Sequence, residues 1–209
     1  MYIEKSVAEF LDRLASSNPT PGGGSGAALG GALAASLISM VCNLTIGKKG
    51  YEAVQEAMSN LLIRSEALRK ELPQLLEADM RVYGKVMETY RLPRKTAEEK
   101  QAQQEAMQDA LKEASRVPLT IAERCGQLVE LALPAAEMGN QWAVSDAGVA
   151  AFLAEASMHA ALLNVYINLA SITDKGFVDE TLTHIQTITE GKGELKEQVV
   201  TIVREKIGG

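Results

Sequence analysis

From Leu14 to Gly47 the chain carries no charged side chain, and this run constrains the fold more than any other stretch. It opens on Ser16-Ser17-Asn18-Pro19-Thr20-Pro21-Gly22-Gly23-Gly24-Ser25-Gly26. Prolines force extended backbone and glycines release it, so this part is a loop. Beyond it, Ser25 to Gly47 reads as a helix, with Gly47 and Gly50 punctuating its end. Ala27 to Leu44 is apolar enough to be weighed as a membrane span. Its Gly, Ala and Ser content, together with Asn43, gives a weak transfer energy, and a helix enclosed by other helices fits better. Gly22, Gly26 and Gly30 fall four apart, as do Ala27, Gly31 and Ala35. Such rows of small residues let helix backbones approach closely.

The rest of the chain also reads as helix. Ser6 and Glu9 have capping-box spacing and start a short helix to about Ala15. Tyr51 to Tyr90 is helical throughout, with Pro73 expected to kink or split it. Arg91 to Gln104 is polar, and Thr96 with Glu99 repeats the capping-box signal. The helix that follows meets Pro118 and continues to Leu133, before Pro134, and Gly139-Asn140 breaks the chain again. Gln141 to Thr173 is a long Ala-rich helix. Shorter helices cover residues 177–190 and 195–207, separated by Gly191-Lys192-Gly193. Aromatics are only 4% of the chain while strong helix formers abound, and no segment alternates convincingly as a strand. The expected fold is all-α: a multi-helix bundle forming one domain over residues 1–209, with long Gly/Ala-rich central helices. Two such helices, apolar around most of their circumference, need more partners than one small bundle provides, so a homodimer is expected.

Charge and cysteine usage narrow the function. A formal charge of −6 argues against wrapping a nucleic acid, although a local basic site for a small anion stays open. Cys42 and Cys125 are the two cysteines, and neither sits in a metal-ligand cluster or a disulfide framework. Acids interrupt the apolar pattern of residues 1–15, which does not suit a signal peptide, and a reducing cytoplasm is the expected compartment.

Four features could carry chemistry. Glycines before a helix invite a phosphate-binding reading, but Gly24-Ser25-Gly26-Ala27-Ala28-Leu29 lacks the third glycine of a dinucleotide fingerprint and no strand precedes it. Gly47-Lys48-Lys49 likewise lacks the rest of a P-loop. The bare N–H groups of a helix N-terminus could still attract an anion, or the loop could be only a tight turn. Two carboxylates stand in apolar rows. Asp79 interrupts the stripe Leu68, Leu72, Leu75, Val82/Tyr83, Val86, Tyr90, and Asp146 lies among Trp142, Ala143, Val149 and Ala150. A carboxylate taken from water is perturbed and is either functional or paired structurally. Finally, Ser157, Asn164, Asn168, Ser171 and Lys175 form a polar stripe, whose amides need partners in other helices or in a heterocyclic ligand. Asp146 and Asn164 would stand roughly 27 Å apart on one helix, so a shared small substrate requires a long ligand, separate sites or separate subunits. His159 and His184 are isolated, and Asn140 reads as an N-cap.

In order along the chain, Pro19-Thr20-Pro21-Gly22-Gly23-Gly24-Ser25, Met40-Val41, Leu44-Thr45, Lys48-Lys49-Gly50-Tyr51, Asp79, Gly139-Asn140, Ser145-Asp146 and Asn164-Val165-Tyr166-Ile167-Asn168-Leu169 resemble the cyclodeaminase family of folate enzymes. The resemblance covers nearly the whole chain. It implies an all-helical homodimer that expels ammonia from formiminotetrahydrofolate to give methenyltetrahydrofolate or, alternatively, hydrolyses methenyl- to formyltetrahydrofolate. A non-enzymatic helical adaptor is the other alternative. No formiminotransferase domain is present, so the stand-alone form is expected. The resemblance further implies that neither metal nor cofactor is needed, and that Asp79 and Asp146 supply acid/base or electrostatic catalysis. Asn140, Asn164 and Asn168 would hold the pterin or orient side chains. Pro21, Gly22, Gly23, Gly24 and Ser25 with Lys48 and Lys49 would hold the glutamate tail of a polyglutamylated folate. Neither nucleic acid nor membrane is an expected partner.

Overall fold

A computed structural model describes residues 4–208, and every regular element among them is helical. Residues 1–3, the head of the segment read above as no signal peptide, lie outside the described residues. In chain order the helices are α1 (Val7–Leu14), α2 (Gly23–Asn43), α3 (Gln55–Thr89), α4 (Ala97–Met138), α5 (Val144–Leu169), α6 (Lys175–Thr189) and α7 (Lys192–Ile207). Single 3-10 turns, Glu52–Val54 and Gln141–Ala143, lead into α3 and α5.

Local chemistry explains most of the ends. Ser6 Oγ accepts from the Glu9 N–H at 3.1 Å, and Thr96 with Glu99 forms a complete capping box at the start of α4. Helix α2 starts two residues before Ser25 and stops at Asn43, short of Gly47. Past Asn43 the chain tightens: the Thr45 hydroxyl donates to the Val41 carbonyl at 2.6 Å, and Gly47 and Gly50 take φ of +75° and +89° in the turn that follows. Helix α3 is not split at Pro73, because Leu72 and Leu76 anchor both sides of it in the core and one missing N–H is a local loss. Helix α4 likewise runs through Pro118 and also through Pro134 to Met138.

Helices α2, α3, α4 and α5 form the central bundle. Along α5 lies α4, α2 packs between α3 and α5, and α3 rests on α4. Covering the outside are α7, on α4 and α5, and α6, on α4. Close approach relies on small residues. A Cβ on Gly31 would lie 2.7 Å from Cys125 Sγ and 3.2 Å from Leu72, and one on Gly30 would lie 2.4 Å from Ser157 Oγ. Ala28, Ala34, Ala35 and Ile38 are fully buried on α2, as are Ala147, Ala150, Ala154 and Met158 on α5. Gly23–Asn43 and Gln141–Leu169 are long and apolar enough to cross a membrane, yet 61% and 50% of their apolar windows are buried inside the bundle. The outer faces of these adjoining helices carry exposed apolar side chains: Leu33 and Met40 on α2, with Leu44 just past its end, and Val149, Phe152, Leu163 and Ile167 on α5.

Candidate active site

The first turn of α2 has no side chain able to cap it, since its N-cap is Gly22 and its first residues are Gly23 and Gly24. Asp79, arriving from α3, takes that role. Ser25 donates to the Asp79 carboxylate twice, through Oγ to Oδ2 at 2.9 Å and through its backbone N–H. The carboxylate sits against the first turn of α2, where the N-terminal partial charge is positive. Only glycine admits it there, because a Cβ on Gly24 would fall 2.3 Å from Asp79 Oδ1. Asp79 is half-buried at the end of the Leu68–Leu72–Leu76 stripe. Burial pushes its carboxyl above the ordinary range, and the two Ser25 donors only partly oppose that shift.

A cleft of about 310 Å³ opens over this pair. Gly22, Gly23, Gly24 and Asp79 form its floor, Tyr83 and Val86 one wall, Ala114 and Pro118 a second, and Asn164, Ile167 and Asn168 a third. The preceding loop, with Pro19 and Thr20 at the cleft edge, enters α2 through a cis Thr20–Pro21 peptide, and Pro21 itself is buried. Asn164 donates its NH2 to the Ala160 carbonyl and Asn168 donates to the Ala114 carbonyl, each at 2.9 Å. Among the described residues no lysine or arginine lines the cleft.

The remaining sequence candidates gather elsewhere. Lys48 and Lys49 are exposed in the turn after α2, with Lys48 Nζ 6.0 Å from the centre of the Tyr51 ring. The Tyr51 hydroxyl accepts from the Gln141 N–H at 2.9 Å, which ties that turn to the chain before α5. Asn140 is buried, and its groups are all engaged: its N–H donates to Thr45 Oγ1, its Nδ2 to the Leu44 carbonyl, and its Oδ1 accepts from the Trp142 N–H. Asn140 therefore caps and braces this corner. Asp146 lies half-buried in the first turn of α5, beside a Trp142 that is 81% exposed. This second group sits at the C-terminal end of α2. The Asp79 cleft sits at its N-terminal end, about 30 Å away for a helix of this length.

The polar stripe on α5 divides. Asn164 and Asn168 reach the cleft, Ser157 packs over Gly30, and Ser171 and Lys175 lie past the end of α5. Pro118, Ala114 and Ile167 belong to the cleft without having been expected there. Pro118 carried the available signal, since a proline inside a helix frees a carbonyl that needs another partner. A broader hollow of about 750 Å³ lies between α4 and α7, but it is an open surface groove whose Lys196 already pairs with Glu155 and Glu197. Among the described residues no three His, Cys, Asp or Glu side chains converge as metal ligands.

A half-buried acid with a raised pKa, beside two amides at the glycine-lined head of a helix, marks an all-α protein equipped for proton transfer or for holding a cation. Comparison with known proteins makes this specific. The family model of formiminotransferase-cyclodeaminase matches residues 6–187, and the chain belongs to that family. It is 43% identical to methenyltetrahydrofolate cyclohydrolase of Methylorubrum extorquens, over 99% of this chain and 100% of that one. It is 33% identical to formimidoyltransferase-cyclodeaminase of Mus musculus, of which it spans only 37%. The crystal structure of formiminotetrahydrofolate cyclodeaminase from Thermotoga maritima superposes with a TM-score of 0.88 at 32% identity, over 99% of this chain and 100% of that one.

Proposed function

We propose that this chain is an enzyme acting on a one-carbon unit carried by tetrahydrofolate, and that its reaction is hydrolysis of methenyl- to formyltetrahydrofolate. Sequence alone favours the cyclodeaminase. The end-to-end likeness to a cyclohydrolase, at higher identity than to the cyclodeaminases, reverses that order. The observation that carries the site is the Asp79 carboxylate in a cleft lined by amide groups and, among the described residues, by no lysine or arginine. The methenyl carbon lies between two nitrogens that share a positive charge, so a fixed carboxylate nearby stabilises the bound cation. Water adds to that carbon and loses one proton, leaving a hydroxyl on a tetrahedral carbon; as one carbon–nitrogen bond breaks, the departing nitrogen gains a proton, the hydroxyl gives up its own, and the C=O of the formyl group forms. Asp79, its basicity raised by burial, is placed to take that proton, while Ser25 fixes its orientation. The electrophile is already activated by its own charge, so the chemistry calls for no resident metal or cofactor.

Ammonia release from formiminotetrahydrofolate passes through the same kind of tetrahedral carbon, and the Thermotoga likeness keeps it as the second reading. Supplying the purified protein with each substrate, and following methenyl disappearance and ammonia release in parallel, separates the two. Methenyl hydrolysis without ammonia release is the expected result, and the reverse pattern replaces this reading with the cyclodeaminase.

The second group of residues joins the site if two copies pair through the apolar outer faces of α2 and α5. A two-fold axis perpendicular to α2 lays two α2 helices antiparallel, so that the start of one lies beside the end of the other. Lys48, Lys49 and Asp146 of one copy then face the Asp79 cleft of the other. We propose that arrangement as the functional homodimer, with the glutamate tail of the folate leading from the cleft to those lysines.

A further inference from the structure

A proline inside a helix leaves one carbonyl without its partner, and in α4 that carbonyl opens on the cleft. Pro118 has no N–H to donate to Ala114, four residues earlier, and both residues line the cleft. The Ala114 oxygen accepts instead from Asn168 Nδ2, at 2.9 Å, across the gap between α4 and α5. A carboxamide has one donor end and one acceptor end. With one N–H of its NH2 given to Ala114, the Asn168 amide is fixed in orientation, and its Oδ1 is left to accept. One turn earlier Asn164 reaches the same state by another route, its NH2 donating back to the Ala160 carbonyl. Gly23 faces Asn164, where a Cβ would lie at ordinary contact distance, 3.6 Å, from both ends of the amide.

We propose that Pro118 acts as a positioning residue that fixes the orientation of the Asn168 amide, so that its Oδ1 is held ready to accept from an N–H on the edge of a pterin-type heterocycle. Asn164, held by the Ala160 carbonyl, offers a second acceptor beside it, while Asp79 is kept for the one-carbon unit. The ligand class rests on the folate reading above. The coupling between Pro118 and Asn168 rests on the helix geometry alone. An Asn168 amide turned the other way would point two N–H groups at a cation and at the ring's own donors, and binding would weaken accordingly. Restoring the helical N–H at position 118 gives Ala114 its usual partner and releases the Asn168 amide to turn.

Two cycles on Pro118→Ala, Asn168→Ala and the double variant test this, one by thermal melting and one by calorimetric titration with 5-formyltetrahydrofolate, a stable reduced folate that needs no turnover. Asn168→Ala should lower the melting temperature by stranding the Ala114 carbonyl, and adding Pro118→Ala should restore it. With Asn168 present, Pro118→Ala should melt no lower than the parent yet bind the folate roughly 5- to 10-fold more weakly. In the Asn168→Ala background the same change should leave the affinity where it was. Parental affinity in Pro118→Ala, or an equal loss in both backgrounds, overturns the proposal. If the melting cycle is additive while the parent binds folate, the proline–asparagine coupling falls and the folate reading stands. If the melting cycle behaves as described but the parent binds no folate, the ligand assignment falls together with the functional reading.

Discussion

At the head of α2 an acid and a glycine depend on each other. Asp79 occupies space that any Cβ on Gly24 would take, and Ser25 holds it there through two donors. Gly24→Ala should therefore expel the carboxylate and lower turnover while the other helices stay folded, as circular dichroism and steady-state rates would show. Asp79→Asn keeps the shape and removes the charge. Turnover should fall about 100-fold or more if Asp79 moves the proton. The pKa direction adds two further expectations. Because the folded pKa lies above the ordinary 3.8, the acid limb of the parent's kcat/KM should lie above that value and vanish in the variant. The same shift means that stability linked to this group is present below pH 3.8 and is lost as pH rises through the folded pKa. At neutral pH, then, Asp79→Asn should melt at or above the parent temperature. A folded variant with parental turnover removes Asp79 from the chemistry. Asp79 is legible in the sequence because it breaks an apolar row at helical spacing. Its partnership with Ser25, 54 residues away, is not, because no local pattern pairs two residues on different helices.

Among the elements, α2 and α3 show opposite uses of glycine. Gly31 lies where α2 meets Cys125 and Leu72, and Gly31→Ala should destabilise by about 1–3 kcal/mol through overpacking. Gly84, inside α3, has nothing within 4 Å of its would-be Cβ, so Gly84→Ala should stabilise by about 1 kcal/mol through helix propensity. Denaturant melts of the two variants check the opposite signs. Equal effects would mean that backbone propensity, rather than the close approach of α2, governs both positions. The row Ala27, Gly31, Ala35 was visible as a packing surface in the sequence. Which helices it meets was not, since spacing gives a face but not the neighbour that fills it.

At the scale of the whole molecule, the residues singled out along the chain fall into two groups at opposite ends of α2. If the sites form between two copies, single variants Asp79→Asn and Asp146→Asn should each be inactive. Co-refolding them in equal amounts should recover about a quarter of the parental activity, because half the dimers are mixed and one of the two sites in each is intact. No recovery from a mixture that forms dimers would place Asp146 outside the Asp79 site. Leu33→Glu, on the exposed face of α2, should yield monomers by sedimentation and abolish turnover.

The sequence by itself determined that the chain is helical, where most of the helices begin, and that Asp79 and the two asparagines are out of place on apolar faces. All of these follow from interactions within a few residues: capping groups, proline and glycine dihedrals, and the 3.6-residue period. Tertiary structure decided that Asp79, Asn164 and Asn168 share one cleft, with Ser25 buried behind Asp79, while Lys48, Lys49, Asn140 and Asp146 lie some 30 Å from it in the same chain. It also decided that Pro73, Pro118 and Pro134 interrupt no helix. The reason is that buried side chains hold a helix together across one missing hydrogen bond. Which faces meet, and which freed carbonyl an amide finds, depends on how the helices cross.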